Sequence, residues 1–235
     1  VELYPHLQVD YYVNSPYVEL FEADPYIFKC RPREELDKRF YDLYINLIHS
    51  VELSRHKMEV DRVTLFSLLL SGEPPSEKPK VFLGKQVPPK VQFLLDKVTT
   101  KRVAIAPWAA SPYRDYPHFQ ELVDELRCAG IQPYLIHSSP ARIKAIRGVI
   151  PVSLNCLELA YFLREVDILI STDTGIYHLA AAVGEPFMVV LFGSVPPRLR
   201  MKWYRNYKAL FAPEVPCLWC EHNPTCTLPP PWLEA

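Results

Sequence analysis

The sequence predicts an α/β fold of two lobes, with parallel sheets covered by helices, and three observations carry this. From Arg102 onward, short apolar runs alternate five times with longer amphipathic stretches, and strands joined by such crossover helices pair in parallel. The first 98 residues show a less regular version of the same alternation. The chain has 235 residues, 49% of them hydrophobic and 23% charged; that is ordinary globular usage, and enough for two lobes of roughly 100 to 150 residues.

In order, "LQVDYYV" (7–13) reads as a strand, "PYVELFEA" as a helix, and "IFKC" as a short strand. A charged helix follows from Pro32, then a strand in "YDLYINLI" (41–48). "HKMEVDRVTLFSLLLSG" reads as an amphipathic helix closed by Gly72, and the Pro- and Lys-rich stretch from Gly72 to Lys90 as mostly irregular. A boundary near Val98 divides the chain into lobes of residues 1–98 and 99–235.

The second lobe begins with a buried strand, "RVAIAP". In "HFQELVDELRCAG", Phe119, Leu122, Val123, Leu126 and Ala129 share one helical face before Gly130 stops the helix. Strand "QPYLIHS", the segment 140–148 and a short "VIPV" come next, then a helix capped by Ser153, strand "DILIST", helix "GIYHLAAAV" and strand "FMVVLFG". Ligands of such sheets bind at the carboxyl ends of the strands.

Composition excludes several function classes. The formal net charge is −1 and like charges nowhere cluster, which argues against a nucleic-acid partner. No stretch approaches the ~20 apolar residues needed to span a bilayer. The N-terminus lacks the order of a signal peptide, so a cytoplasmic protein is expected. With 24 Pro and only 7 Gly, each glycine is worth locating, and Gly175, Gly184 and Gly193 fall in one region.

That region, "ISTDTGIYHLAAAVGEP", places Asp173, Thr174, Gly175 and His178 at the mouth of a helix. Ile176, Leu179, Ala180 and Val183 follow the i, i+3, i+4, i+7 spacing and commit that face to the sheet. At 100° per residue, His178 lies about 200° from Ile176 and points away from the stripe. The free first-turn N–H groups and the helix dipole favour an anion such as phosphate. The plainer reading makes Asp173 or Thr174 an N-cap and His178 a solvated residue. "FGSVPPR" adds Gly193, Ser194 and Arg198 at the end of the next strand, on the same edge.

The run from "LNCLELAYFLREVDILISTDTGIYHLAAAVGEP" to "FMVVLFG" resembles the signature of the heptosyltransferases, glycosyltransferase family 9. "VAIAPWAASPYRDYP" and "YDLYINL" resemble the family's other strands more weakly. The resemblance implies two Rossmann-like lobes in the GT-B arrangement, here with a shortened N-terminal lobe. It also implies transfer of a sugar, typically heptose from an ADP donor, to a lipopolysaccharide core with inversion. Asp173, Thr174, Gly175 and His178 would line the donor site, joined by Gly193, Ser194 and Arg198, and no cofactor is required. Arg114 takes the place of the family lysine, and Trp108 that of a loop glycine. The acidic base of the family is expected ahead of Val1. Asp10, Asp42 and Glu52 have nothing in their spacing that marks them as substitutes. The partners implied are a nucleotide-sugar donor and a glycan or glycolipid acceptor, the latter compatible with a peripheral position at the inner face of the cytoplasmic membrane. A protein that keeps the donor lobe without the base, and binds nucleotide sugar or glycan without transfer, is the alternative.

Cys217, Cys220, His222 and Cys226 supply three thiols and an imidazole within ten residues. Zinc, a disulfide and free thiols all remain open readings of this cluster.

Overall fold

The computed structural model describes residues 6–109, 114–136, 146–214 and 218–220. Strand β1 (Asp10–Val13), helix α1 (Val18–Phe21) and strand β2 (Lys29–Pro32) form a small unit in which β1 and β2 pair in parallel. Helices α2 (Arg62–Ser71) and α3 (Pro89–Leu95) follow. The remainder builds a six-stranded, all-parallel sheet from β3 (Val103–Ala106), β4 (Tyr134–Ile136), β5 (Ile150–Val152), β6 (Ile168–Thr172), β7 (Phe187–Leu191) and β8 (Tyr207–Leu210). Its spatial order is β5-β4-β3-β6-β7-β8. The strand order reverses between β3 and β6, which opens a crevice at their carboxyl ends.

Alternate residues of the central strands enter two different cores, as the two-residue period of a strand requires. On one face Ala104, Ala106, Tyr134, Ile136, Leu169, Met188 and Val190 meet α3, α5 (Cys156–Arg164) and α6 (Gly175–Val183). On the other, Ile105 and Leu135 meet Phe119 and Val123 of α4 (Phe119–Cys128). The sheet is thus covered on both faces, as expected.

Several sequence expectations need correction. The helix expected from Pro32 is replaced by two 3-10 turns, Arg33–Glu35 and Lys38–Phe40, because Pro32 holds extended backbone and Leu36 returns to it between them. No strand forms over residues 41–48; Leu43 is 74% exposed there, so its apolar residues meet no sheet partner. The helix expected to begin near His56 starts at Arg62, where Asp61 caps it by accepting from the Thr64 backbone N–H, and it ends at Gly72 in the left-handed region (φ 76°). It is not cleanly amphipathic, since Leu68, Leu69 and Leu70 are all exposed. The stretch after Gly72 is irregular as expected, but only to Pro88. Pro89 then opens α3, whose Val91, Leu94 and Leu95 are buried. The cap of α5 is Asn155 rather than Ser153: Asn155 and Glu158 form a reciprocal capping box. Strand β8 and the one-turn helix α7 (Arg198–Met201) were not anticipated.

Candidate active site

The parallel register pairs Ala106 with Ser171 and Thr172 with Leu191, so β3, β6 and β7 end side by side. Three connections therefore emerge on one edge: the loop after β3, the turn from β6 into α6, and the loop after β7. Asp173 sits in the middle connection and is only 5% exposed. It is not the cap of α6. Thr174 takes that role, its hydroxyl accepting from the Ile176 N–H at 3.1 Å. Asp173 is instead a buried hub: the Tyr177 hydroxyl donates to Oδ1 at 3.0 Å, and Arg114 Nη1 donates to its main-chain oxygen at 2.8 Å, 3.7 Å from Oδ2.

Arg114 reaches this hub from the loop after β3. There Asp115 Oδ1 accepts from the Ala109 N–H at 2.8 Å and ties the loop to itself. Arg114 Nε is buried without a hydrogen-bond partner, and so is Thr172 Oγ1, which lies at the last residue of β6. Two buried polar groups left unpaired beside a helix mouth are a cost to the fold. Gly175 is exposed, and a Cβ placed on it would meet nothing within 4 Å among the described residues, so none of them crowds the backbone at the first turn of α6.

His178 corrects the helical-wheel expectation. It is half-buried, its ring lying 4.1 Å from that of Tyr177 and its Nδ1 2.6 Å from the Tyr204 hydroxyl. Burial is the main reason its pKa falls to about 4; Asp173 opposes the shift, while Arg200 and Arg62 add to it. The imidazole is therefore neutral at physiological pH. The apolar stripe of α6 is broader than the four-residue spacing suggested. Ala180 is buried, with Ile176, Leu179 and Val183 packed alongside, but Tyr177 and Ala181 are fully buried too.

The loop after β7 contributes less than its composition suggested. Ser194 is buried, and the Gly193 carbonyl accepts from the Trp219 N–H at 3.0 Å. Arg198 is committed elsewhere: Nη2 donates to the Met58 carbonyl at 3.1 Å, and the residue lines a separate cleft of about 600 Å³ with Glu59, Asp61, Thr64 and Lys202. Trp108 lies in the loop after β3. With Asp115, Tyr116, Phe119, Gln120 and Ile146 it lines a cleft of about 260 Å³ beside the β3 loop. Cys217, His222 and Cys226 lie outside the described residues, and Cys220 is a half-buried free thiol. Among the described residues, no group of three His, Cys, Asp or Glu side chains could hold a metal ion. No helix among them is long and apolar enough to cross a membrane.

Sequence reasoning missed Tyr177, Tyr204 and Thr172. Tyr177 stands four residues after Asp173, one helical turn on, and that spacing was a usable signal. Tyr204 lies 26 positions from His178 and carries no local signal.

A family profile described as glycosyltransferase family 9 (heptosyltransferase) matches residues 38–229, most of the chain. The chain belongs to glycosyltransferase family 9. No curated protein matches it. The fold of the family is shared with solved structures at low identity. Escherichia coli ADP-heptose lipopolysaccharide heptosyltransferase II is 14% identical with a TM-score of 0.66, over 89% of this chain and 82% of that one. A family 9 glycosyl transferase from Veillonella parvula gives 14% and 0.66, over 88% and 78%. The E. coli heptosyltransferase WaaC, solved with ADP, gives 17% and 0.58, over 90% and 83%. The α/β architecture and the sugar-transferase family inferred from the sequence thus agree with the comparisons.

Proposed function

We propose that this family 9 chain transfers a sugar, heptose from an ADP-linked donor, to a hydroxyl of a lipopolysaccharide-core type glycan, with inversion at the anomeric carbon. The observation that carries this reading is the Asp173-Thr174-Gly175 turn at the mouth of α6, with the Arg114 guanidinium laid against it. As the glycosidic bond breaks, negative charge develops on the leaving nucleoside diphosphate. Fixed N–H donors at a helix N-terminus and a nearby cation stabilise that charge without reorganising. The ADP in the WaaC structure supports a nucleotide-sugar partner.

On this reading residues 99–235 bind the donor, and those before Val98 face the acceptor. The acids named in that first segment are poor bases. Asp10 accepts from the Tyr41 hydroxyl at 2.7 Å, Glu52 pairs with Arg62 at 3.0 Å, and Asp42 lies exposed. With a lipid-linked acceptor, the reaction would run at the cytoplasmic face of a membrane.

Calorimetric titration with ADP, followed by ADP release from ADP-heptose in the presence of deacylated lipopolysaccharide core, tests the proposal. Arg114→Ala should weaken ADP binding roughly 10- to 100-fold, the loss of a charge-assisted contact. Wild-type protein that binds ADP yet never turns over would point to a binding protein. Failure to bind any nucleotide sugar would sink both readings.

A further inference from the structure

The Tyr204 hydroxyl meets one hydrogen-bond partner among the described residues, His178 Nδ1 at 2.6 Å. Tyr204 is 5% exposed and its phenol is pushed upward by burial first, then by Asp61 and Glu185, so it keeps its proton at neutral pH. A buried O–H needs an acceptor. Were Nδ1 protonated, the phenolic proton would have none. The proton on the imidazole must therefore reside on Nε2, which has no partner among the described residues.

We propose that Tyr204 is a positioning residue: its hydroxyl donates to His178 Nδ1 and fixes the imidazole as the Nε2–H tautomer. The site then gains a single directed N–H donor for an oxygen of the bound nucleotide diphosphate. This rests on the donor-site reading given above. Two further contacts hold the ring in place. It lies against Tyr177 at 4.1 Å, and Tyr177 is anchored in turn through its hydroxyl to Asp173, the hub that Arg114 also grips. The chain of contacts from Arg114 to Tyr204 thus links the β3 loop, the β6–α6 turn, α6 and the segment after α7. The charged groups around the ring are Asp173 from the β6–α6 turn, Arg200 from α7 and Arg62 from α2. A neutral donor on His178 adds no charge to a set that already holds two cations and one acid. In other histidine sites a carboxylate or carbonyl accepts from Nδ1–H; here a donating tyrosine selects the opposite tautomer and leaves the proton on Nε2.

Long-range ¹H–¹⁵N correlation spectra of the full chain at pH 7.5 read the tautomer directly. Wild type should show His178 with unprotonated Nδ1 and protonated Nε2, and Tyr204→Phe should show a mixture. The same substitution should weaken ADP binding about fivefold, the worth of one hydrogen bond. An Nδ1–H tautomer in wild type overturns the proposal, as does wild-type ADP affinity in Tyr204→Phe. If Tyr204→Phe does not fold, the wild-type spectrum alone decides the tautomer. If wild type binds no ADP, the donor-site reading fails and takes the ligand part of the proposal with it, while the spectrum still judges the Tyr204–His178 pair.

Discussion

A half-buried imidazole resists taking up a proton, and at His178 that resistance becomes a stability term. Its pKa stands near 4 in the folded chain, against an ordinary 6.5. The folded state therefore binds fewer protons than the unfolded state as acid is added. The contribution is complete above about pH 6.5 and is lost as pH falls towards about 4. It amounts to about 3 kcal/mol. Urea unfolding at a series of pH values from 7.5 to 4.5 should show this decline in wild type and a flatter profile in His178→Gln. Parallel profiles for the two proteins would remove His178 as the source. At this same scale the sequence brought Asp173, Thr174, Gly175 and His178 to one helix mouth, but their side-chain contacts were not legible, because Asp173 and His178 meet distant Arg114 and Tyr204.

Elements differ in how far local sequence decides them. Strands β3, β4, β6 and β7 were legible because each is a short apolar run between polar or helical stretches, which only a covered sheet can accommodate. The expected helix at Pro32 and strand at 41–48 failed for the opposite reason: their patterns had no partner surface to bury them, and propensity alone does not hold an isolated element. Strand β8 was missed because it alternates half-buried Tyr207 and Ala209 with exposed Lys208 and Leu210, as an edge strand does, and gives only a weak apolar signal. Helix α5 shows what local sequence can decide. Asn155 accepts from the Glu158 N–H at 2.8 Å, and Glu158 returns the bond to the Asn155 N–H at 3.0 Å while pairing with Lys90 of α3 at 2.9 Å. Asn155→Ala should cost about 1 kcal/mol. In a chain of this size that lowers the thermal midpoint by about 2 to 4 °C. A shift of less than half a degree by calorimetry would show that the box contributes nothing.

At the scale of the whole molecule, polar crossings alongside the apolar cores join the segment before α3 to the end of the large sheet. One is at Asp61. Its carboxylate caps α2 through the Thr64 N–H at 3.0 Å, accepts from the Thr64 hydroxyl at 2.7 Å, and receives the Trp203 indole N–H at 2.8 Å and the Lys202 ammonium at 3.1 Å. Burial alone would raise its pKa, but these bonds together hold it below the usual carboxylate range. A second crossing joins Lys78 to Glu185 at 2.7 Å and to the Ala181 carbonyl at 2.9 Å, while Glu185 also accepts from the Arg205 N–H at 2.9 Å. Glu185 does this from the left-handed region (φ 56°), so the crossing holds a conformation that a glutamate adopts at a cost. Because Asp61 serves a helix and a crossing at once, its removal should be felt on both sides. Asp61→Ala is expected to cost about 2 to 4 kcal/mol, a lost cap plus a half-buried indole N–H left without its partner. Trp203→Phe removes only the indole bond, leaving the Lys202 contact, and should cost about 1 kcal/mol. The two share one hydrogen bond, so the double variant should be less destabilised than the sum of the singles, by an amount that chemical unfolding can resolve. Strict additivity in that cycle would mean that the Asp61–Trp203 bond does not couple the two segments.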